Sequence, residues 1–149
     1  MRSCRTGAFS KISLGFCCAV TLTITVDNEV HVYHGGRVVH SDAYWPHSAT
    51  VTLDDACVLA VKGVHYGGYG ILASTSTGVV SDASWKCSDV EQTGWHLPGF
   101  DDTAWSQAQV LAAHGAWPWL HIGGISAQAT WIWAQGSAAT PVYCRKTLC

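Results

Sequence analysis

Two acidic pairs, Asp54-Asp55 and Asp101-Asp102, are the residues of this chain best suited by type to chemistry. Carboxylates supply the hard oxygen ligands that calcium prefers, and a loop that gathers several can seat the ion. Two carboxylates can also hydrolyse a glycosidic bond, provided about 5–10 Å separates them across the sugar. Neighbours in one turn do not provide that gap. The same pairs are equally suited to capping turns and helix starts. A structural calcium at Asp101 and Asp102 is therefore the metal candidate, and no catalytic residue is assigned. The eight histidines, His31, His34, His40, His47, His65, His96, His114 and His121, are scattered. His31 and His34 differ by three and so fall on opposite faces of a strand; hydrogen-bonded surface or loop histidines are the default. No Gly-x-Ser-x-Gly elbow supports a nucleophile. The Gly67-Gly68 and Gly123-Gly124 loops lack the following helix and lysine of a phosphate cradle. The chain is expected to be no enzyme, and to hold no cofactor beyond that candidate calcium.

The aromatic residues carry the stronger signal. Trp85, Trp95 and Trp105 sit ten residues apart, and Ser81-Asp82-Ala83-Ser84-Trp85 is echoed by Asp101-Asp102-Thr103-Ala104-Trp105. Anchors at such spacing, separated by Gly, Pro, Asp and Ser, mark short strands and wide loops. Trp85, Trp105 and Trp131 are expected in the core. Trp131 and Trp133 flank Ile132, so in a regular strand both share one face. Three other clusters read as loops: Tyr44-Trp45-Pro46, Tyr66 to Tyr69, and Trp117-Pro118-Trp119. A proline bars its segment from a central strand and leaves the neighbouring indole to project. Exposed indoles and phenols stack on the apolar faces of sugars or anchor protein interfaces. Tyr44, Trp45, Tyr66, Tyr69, Trp117 and Trp119 are the candidate ligand-binding residues.

Composition narrows the partners. Charged residues are 12% of the 149, about half the usual share, and the net charge is −2. No basic stripe exists to neutralise a phosphate backbone, which argues against nucleic acid. Seven cysteines without any Cys-x-x-Cys spacing point to a secreted, disulfide-bonded chain rather than a metal site. Cys87 and Cys144 each follow an aromatic strand residue and would close the Trp-rich half, so they are the preferred pair. Cys57 is expected to join Cys17 or Cys18, and Cys4 to join Cys149. An odd count leaves one thiol over.

These residues need elements to hold them. Thr21-Leu22-Thr23-Ile24-Thr25-Val26 alternates strictly, which is the pattern of a half-buried strand. Asp27-Asn28 reads as a turn, and Val30 to Tyr33 returns through Gly35-Gly36 to Val38-Val39 as a hairpin. Val51 to Leu53, Cys57 to Lys62 and Ile71 to Ser74 are further strands. No window of eleven residues has helical periodicity; Asp102 to Val110 is the best short helical candidate, with Asp102 as its cap. Residues 1–20 read either as a signal-like segment, with Arg2, Arg5 and Lys11 before an apolar run, or as part of a first strand. Residues 21–149 form one domain. No run approaches the roughly 20 apolar residues of a membrane helix.

The run Leu22 to Gly36 resembles the "DNe-x-x-x-Y-x-N-G" strand and hairpin of galactose-binding-domain-like β-sandwiches, above all the accessory sandwiches of bacterial α-L-rhamnosidases and their extracellular relatives. Val58-Leu59-Ala60-Val61 is similar to the family's "N-x-L-A-V" strand, and Tyr69-Gly70-Ile71-Leu72-Ala73 to the strand after it. Ser81 to Lys86, Phe100 to Trp105 and Ala129 to Trp133 resemble its later landmarks in the same order. The likeness runs from about Thr21 to Arg145. His34 stands where the family's hairpin carries asparagine, so that residue's role does not transfer. The resemblance implies an all-β, galactose-binding-like jelly-roll sandwich with long Trp-rich loops and at most a short helical turn. Such folds often bind sugars through loops at one end, and many hold a structural calcium; others bind nothing and serve as spacers, so fold alone does not choose among these.

Two functions fit. One is an extracellular, non-catalytic glycan-binding module whose partner is a glycan or glycoprotein. The alternative is a self-associating protomer of an extracellular filament, sheath or matrix, favoured by low charge, abundant Gly and Ala and a spare cysteine. Exposed loop aromatics discriminate in favour of the first, and the same aromatics buried by a second copy in favour of the other.

Overall fold

Strict alternation of threonine with Leu22, Ile24 and Val26 puts every second side chain on one side of the backbone, and those three are buried. The computed structural model describes residues 19–43, 45–136 and 138–148. Among them are eleven strands and no helix: β1 Val20–Asp27, β2 Glu29–His34, β3 Arg37–Asp42, β4 Ala49–Leu53, β5 Val58–Val64 and β6 Gly70–Thr75. The second half adds β7 Lys86–Ser88, β8 Ser106–Gln107, β9 Gln109–Ala113, β10 Thr130–Trp133 and β11 Val142–Thr147. They form two antiparallel sheets, one ordered β4-β1-β6-β10-β9 and the other β3-β2-β5-β11-β7-β8. The sheets face each other as a jelly-roll-like sandwich around Leu22, Ile24, Val32, Leu59, Val61, Ile71, Trp85, Ile132 and Cys144.

Each sheet is also covered on its outer face, which explains why Val58 to Val61 of β5 and Ile71 to Ala73 of β6 are continuous apolar runs instead of alternating. Ile122, Ile125 and Trp119, from the segment between β9 and β10, pack over Leu72 and Trp131. Trp95, Phe100 and Trp105, from the segment between β7 and β8, pack over Ala60, Tyr33 and Tyr143. The cover on this second face is tied down by Arg145 of β11. Its Nε donates to Asp102 Oδ2 at 3.0 Å, and its other nitrogens donate to the carbonyls of Trp95, Leu97 and Phe100.

The hairpin expected at Gly35-Gly36 joins β2 to β3. Both glycines have positive φ, 61° and 80°, as the tight turn between right-twisted strands requires. Cys87 and Cys144 are directly opposite one another on β7 and β11 and are disulfide-bonded, as their spacing suggested. Cys57 is also in a disulfide; the proposed partners Cys17 and Cys18, and the Cys4 and Cys149 pair, lie outside the described residues. Residues 1–18, the bulk of the ambiguous N-terminal segment, lie outside them too.

Three expectations are corrected. Asp27-Asn28 does not fold one strand back on its neighbour: β1 and β2 belong to different sheets, and Asn28 carries the chain across from one to the other. Asp102 to Val110 is not helical. Asp101 Oδ1 accepts the Thr103 N–H at 3.0 Å and a single turn follows, after which Ala108 N–H donates to Trp85 O and the chain enters β9. The echoed phrase around Asp82 makes a similar turn, with Asp82 Oδ1 accepting the Ser84 N–H, and both turns end in a buried tryptophan. Finally, Trp131 and Trp133 do not share a face. The register of β10 against β9 shifts between Trp131 and Ile132, so Trp131 faces outward under Trp119 while Ile132 and Trp133 face the sandwich core.

Candidate functional site

Antiparallel pairing brings separated segments to one end of the sandwich. Asp27 at the end of β1 is opposite Gly70 at the start of β6, and Glu29 at the start of β2 is opposite Val64 at the end of β5. Val30 pairs with Asp42, so the loop from β3 to β4, residues 43–48, begins here as well. The 65–69 loop joins β5 to β6 at the same end. The long segment between β9 and β10 crosses the outer face and reaches the same corner, where Ser48 Oγ donates to Gly123 O at 2.7 Å.

Asp27 is the centre of this corner. Its residue is only 5% exposed, and its Oδ2 accepts the indole N–H of Trp119 at 2.9 Å. Burial pushes the carboxyl above the ordinary carboxylate range; the Trp119 hydrogen bond pulls the other way. Beside it, Asn28 Oδ1 accepts the Tyr66 N–H at 2.7 Å. Glu29 accepts the Tyr66 hydroxyl through one oxygen and bonds His31 Nε2 through the other. The Tyr66 bond, then His31, hold the Glu29 carboxyl below its usual range. Tyr66 is thus pinned at backbone and hydroxyl while 71% exposed. A small cavity lined by Asn28, Asp42, His47 and strand residues of β1 extends the corner toward the 43–48 loop.

The six sequence candidates take different positions. Trp117 is 83% exposed and Tyr66 displays its ring beside Glu29. Trp119 is half-buried, stacked on Trp131 with centroids 4.6 Å apart, so its ring does not project freely as the adjacent proline suggested. Tyr69 packs against Trp133 and His65, closing the core rather than offering a surface. Trp45 is half-buried in the 43–48 loop. Tyr44 lies outside the described residues. Asp101 and Asp102 are elsewhere, within the β7–β8 cover, Asp101 exposed and Asp102 half-buried. There Asp101 bonds Thr103, and the Asp102 carboxylate meets Arg145 and, at 3.8 Å, Lys86. Asp102 Oδ2 thus accepts a hydrogen bond from the Arg145 guanidinium, while Asp101 Oδ1 accepts from Thr103. Among the described residues no group of three or more His, Cys, Asp or Glu side chains could hold a metal ion.

Asp27, Asn28 and Glu29 were missed as site residues because a short polar run between two strands reads as a turn. Gly68 was a better clue. A Cβ at Gly68 would stand 2.8 Å from Asp27 Oδ2, so the 65–69 loop closes over the acid only because this residue has no side chain. Gly68→Ala should displace Asp27 from Trp119 and cost about 1–3 kcal/mol. Urea unfolding would give the cost, and the Trp119 indole N–H resonance would report the broken bond; an unmoved resonance would count against this packing.

The corner combines a desolvated acid, an amide, a pinned carboxylate and the displayed Tyr66 ring, an arrangement suited to a small polyhydroxylated ligand. A 58-residue stretch, 38% of the chain, is 45% identical to part of an α-L-rhamnosidase of Streptomyces avermitilis. That stretch spans 6% of the length of the rhamnosidase. No family profile matches the chain. No solved structure matches it. The chain is an all-β sandwich with a partial likeness to a glycoside hydrolase.

Proposed function

We propose that this chain is a non-catalytic, galactose-binding-like accessory module that binds a neutral glycan outside the cell, through the corner built on Asp27. The observation that carries the reading is the Asp27 carboxylate. Folding buries it at a cost in solvation, and an apolar or amide residue there would avoid that cost, so its presence is best understood through a ligand it serves. Asp27 and Asn28 would bond sugar hydroxyls, while Trp117 and Tyr66 stack on C–H faces of the rings. The likeness to an α-L-rhamnosidase makes L-rhamnosyl-bearing oligosaccharides the first ligands to try. The disulfide between Cys87 and Cys144 supports an oxidising, extracellular setting.

Trp117→Ala tests the surface half of this reading. The ring is so exposed that folding should change by no more than about 0.5 kcal/mol. Glycan affinity should fall about 30-fold, the loss typical of an aromatic hot spot. Equal affinity of variant and parent on a glycan array would remove Trp117 from the site. One observation favours the self-associating alternative: Val110 on β9, the outer strand of its sheet, and Trp117 and Leu120 beyond it are exposed and apolar. Sedimentation showing dimers or fibres that Trp117→Ala disperses, with no glycan bound, would move the assignment there.

A further inference from the structure

A second opening lies far from Asp27 in sequence, along the side of the sandwich where β7 and β8 end one sheet. Its walls come from the segment after β7, the residues leading into β8, and Ala134 and Gln135 after β10. The lining combines buried Cys87, Trp105 and Ala134 with exposed Val90 and Ala104 and the polar Ser88, Gln92, Ser106 and Gln135. Asp89 is the one charged side chain in the lining.

The polar groups are positioned by bonds that leave capacity over. Gln92 Oε1 accepts the Trp105 indole N–H at 3.1 Å, which orients the amide without using its nitrogen. Gln109 Oε1 accepts the Gly136 N–H at 3.2 Å and so fixes the turn that presents Gln135. Ser88 Oγ is held against Val90 by two bonds of 3.1 Å. A primary amide offers two donors and an acceptor, which is the complement of a polyol, and Ser88 Oγ, whose proton goes to Val90 O, keeps a lone pair to accept with. Exposed Val90 and Ala104 offer apolar contact for the C–H groups of a pyranose, and Asp89 opposes an anionic ligand.

We propose that this cleft is a second saccharide site, selective for neutral sugars. It is tested on the full chain by NMR titration with L-rhamnose and, separately, with glucuronate, following the Trp105 indole N–H and the Gln92 side-chain amide. L-Rhamnose should shift both signals and glucuronate neither. Gln92→Ala should weaken the response about tenfold. Because that change also removes the partner of Trp105, Gln135→Ala, which leaves the Trp105 bond intact, should weaken it as well. In Asp27→Asn the shifts at Trp105 should persist, which separates this site from the one proposed above. Unmoved signals at saturating L-rhamnose, equal shifts with glucuronate, or an undiminished response in both glutamine variants would overturn the proposal. So would displacement of the signals only by an extended peptide pairing with the short edge strand β8.

Discussion

Replacing Arg145 by alanine should lower stability by about 3–5 kcal/mol, the usual consequence of removing one partner from a buried, hydrogen-bonded ion pair. Arg145 is 2% exposed and serves four acceptors at once: the Asp102 carboxylate and the carbonyls of Trp95, Leu97 and Phe100. Its guanidinium also lies 5.2 Å from the centre of the Phe100 ring. No other residue type presents a planar fork of five donors, so Arg145→Lys should recover only part of the loss. The damage should be local first. The segment from Trp95 to Asp102 would leave the outer face of its sheet, exposing Tyr143 and Trp105. Hydrogen exchange should therefore rise in that segment before it rises in β1 and β6. A variant with parental stability and protection would show that the cover is held by aromatic packing alone.

Trp131→Ala should cost a similar 3–5 kcal/mol, because a large, fully buried ring leaves a cavity that its neighbours fill only in part. Its surroundings leave little room to adjust. Gly70 lies so close beneath it that a Cβ there would be 2.7 Å from Trp131 Cε3, and Trp119 is stacked above. The indole N–H of Trp131 is buried without a hydrogen-bond partner, so Trp131→Phe should be much milder than alanine. Loss of the ring should also release Trp119 from Asp27. We therefore expect Trp131→Ala to reduce glycan binding as well as stability, although Trp131 touches no ligand surface. Chemical denaturation and a binding titration on the same sample would check both, and unchanged affinity in the destabilised variant would detach Trp119 from the site.

These residues show how far the sequence could be read. The alternation of β1, the Gly35-Gly36 hairpin and the pairing of Cys87 with Cys144 are local or aromatic-flanked signals, and they were legible. The facing of Trp131 was not, because a one-residue register shift reverses the inside and outside of a strand without leaving a composition signature. The helical reading of Asp102 to Val110 failed for a related reason: Asp101 and not the expected Asp102 makes the turn, Asp102 pairs with Arg145, and the pull of buried Trp105 and the Trp85 carbonyl on the following chain was not visible. The candidate site was half legible. Exposed aromatics were named by their prolines and glycines, yet Asp27 meets Trp119 across 92 residues of sequence, and only the fold makes that acid buried.

Asp27 is therefore where the account is most directly tested. The folded-state pKa of its carboxyl is raised by burial, so the ionised form opposes folding at neutral pH, and the stability it withholds returns as pH falls through that raised pKa. Asparagine removes the charge and keeps an oxygen for the Trp119 N–H. Calorimetric titration of Asp27→Asn and the parent chain with an L-rhamnosyl-bearing oligosaccharide, alongside their unfolding midpoints at pH 7, is the decisive measurement. The account predicts a midpoint equal to or above the parent's and an affinity at least about 30-fold weaker. An affinity equal to the parent's, or a parent chain that binds no such glycan, would contradict it.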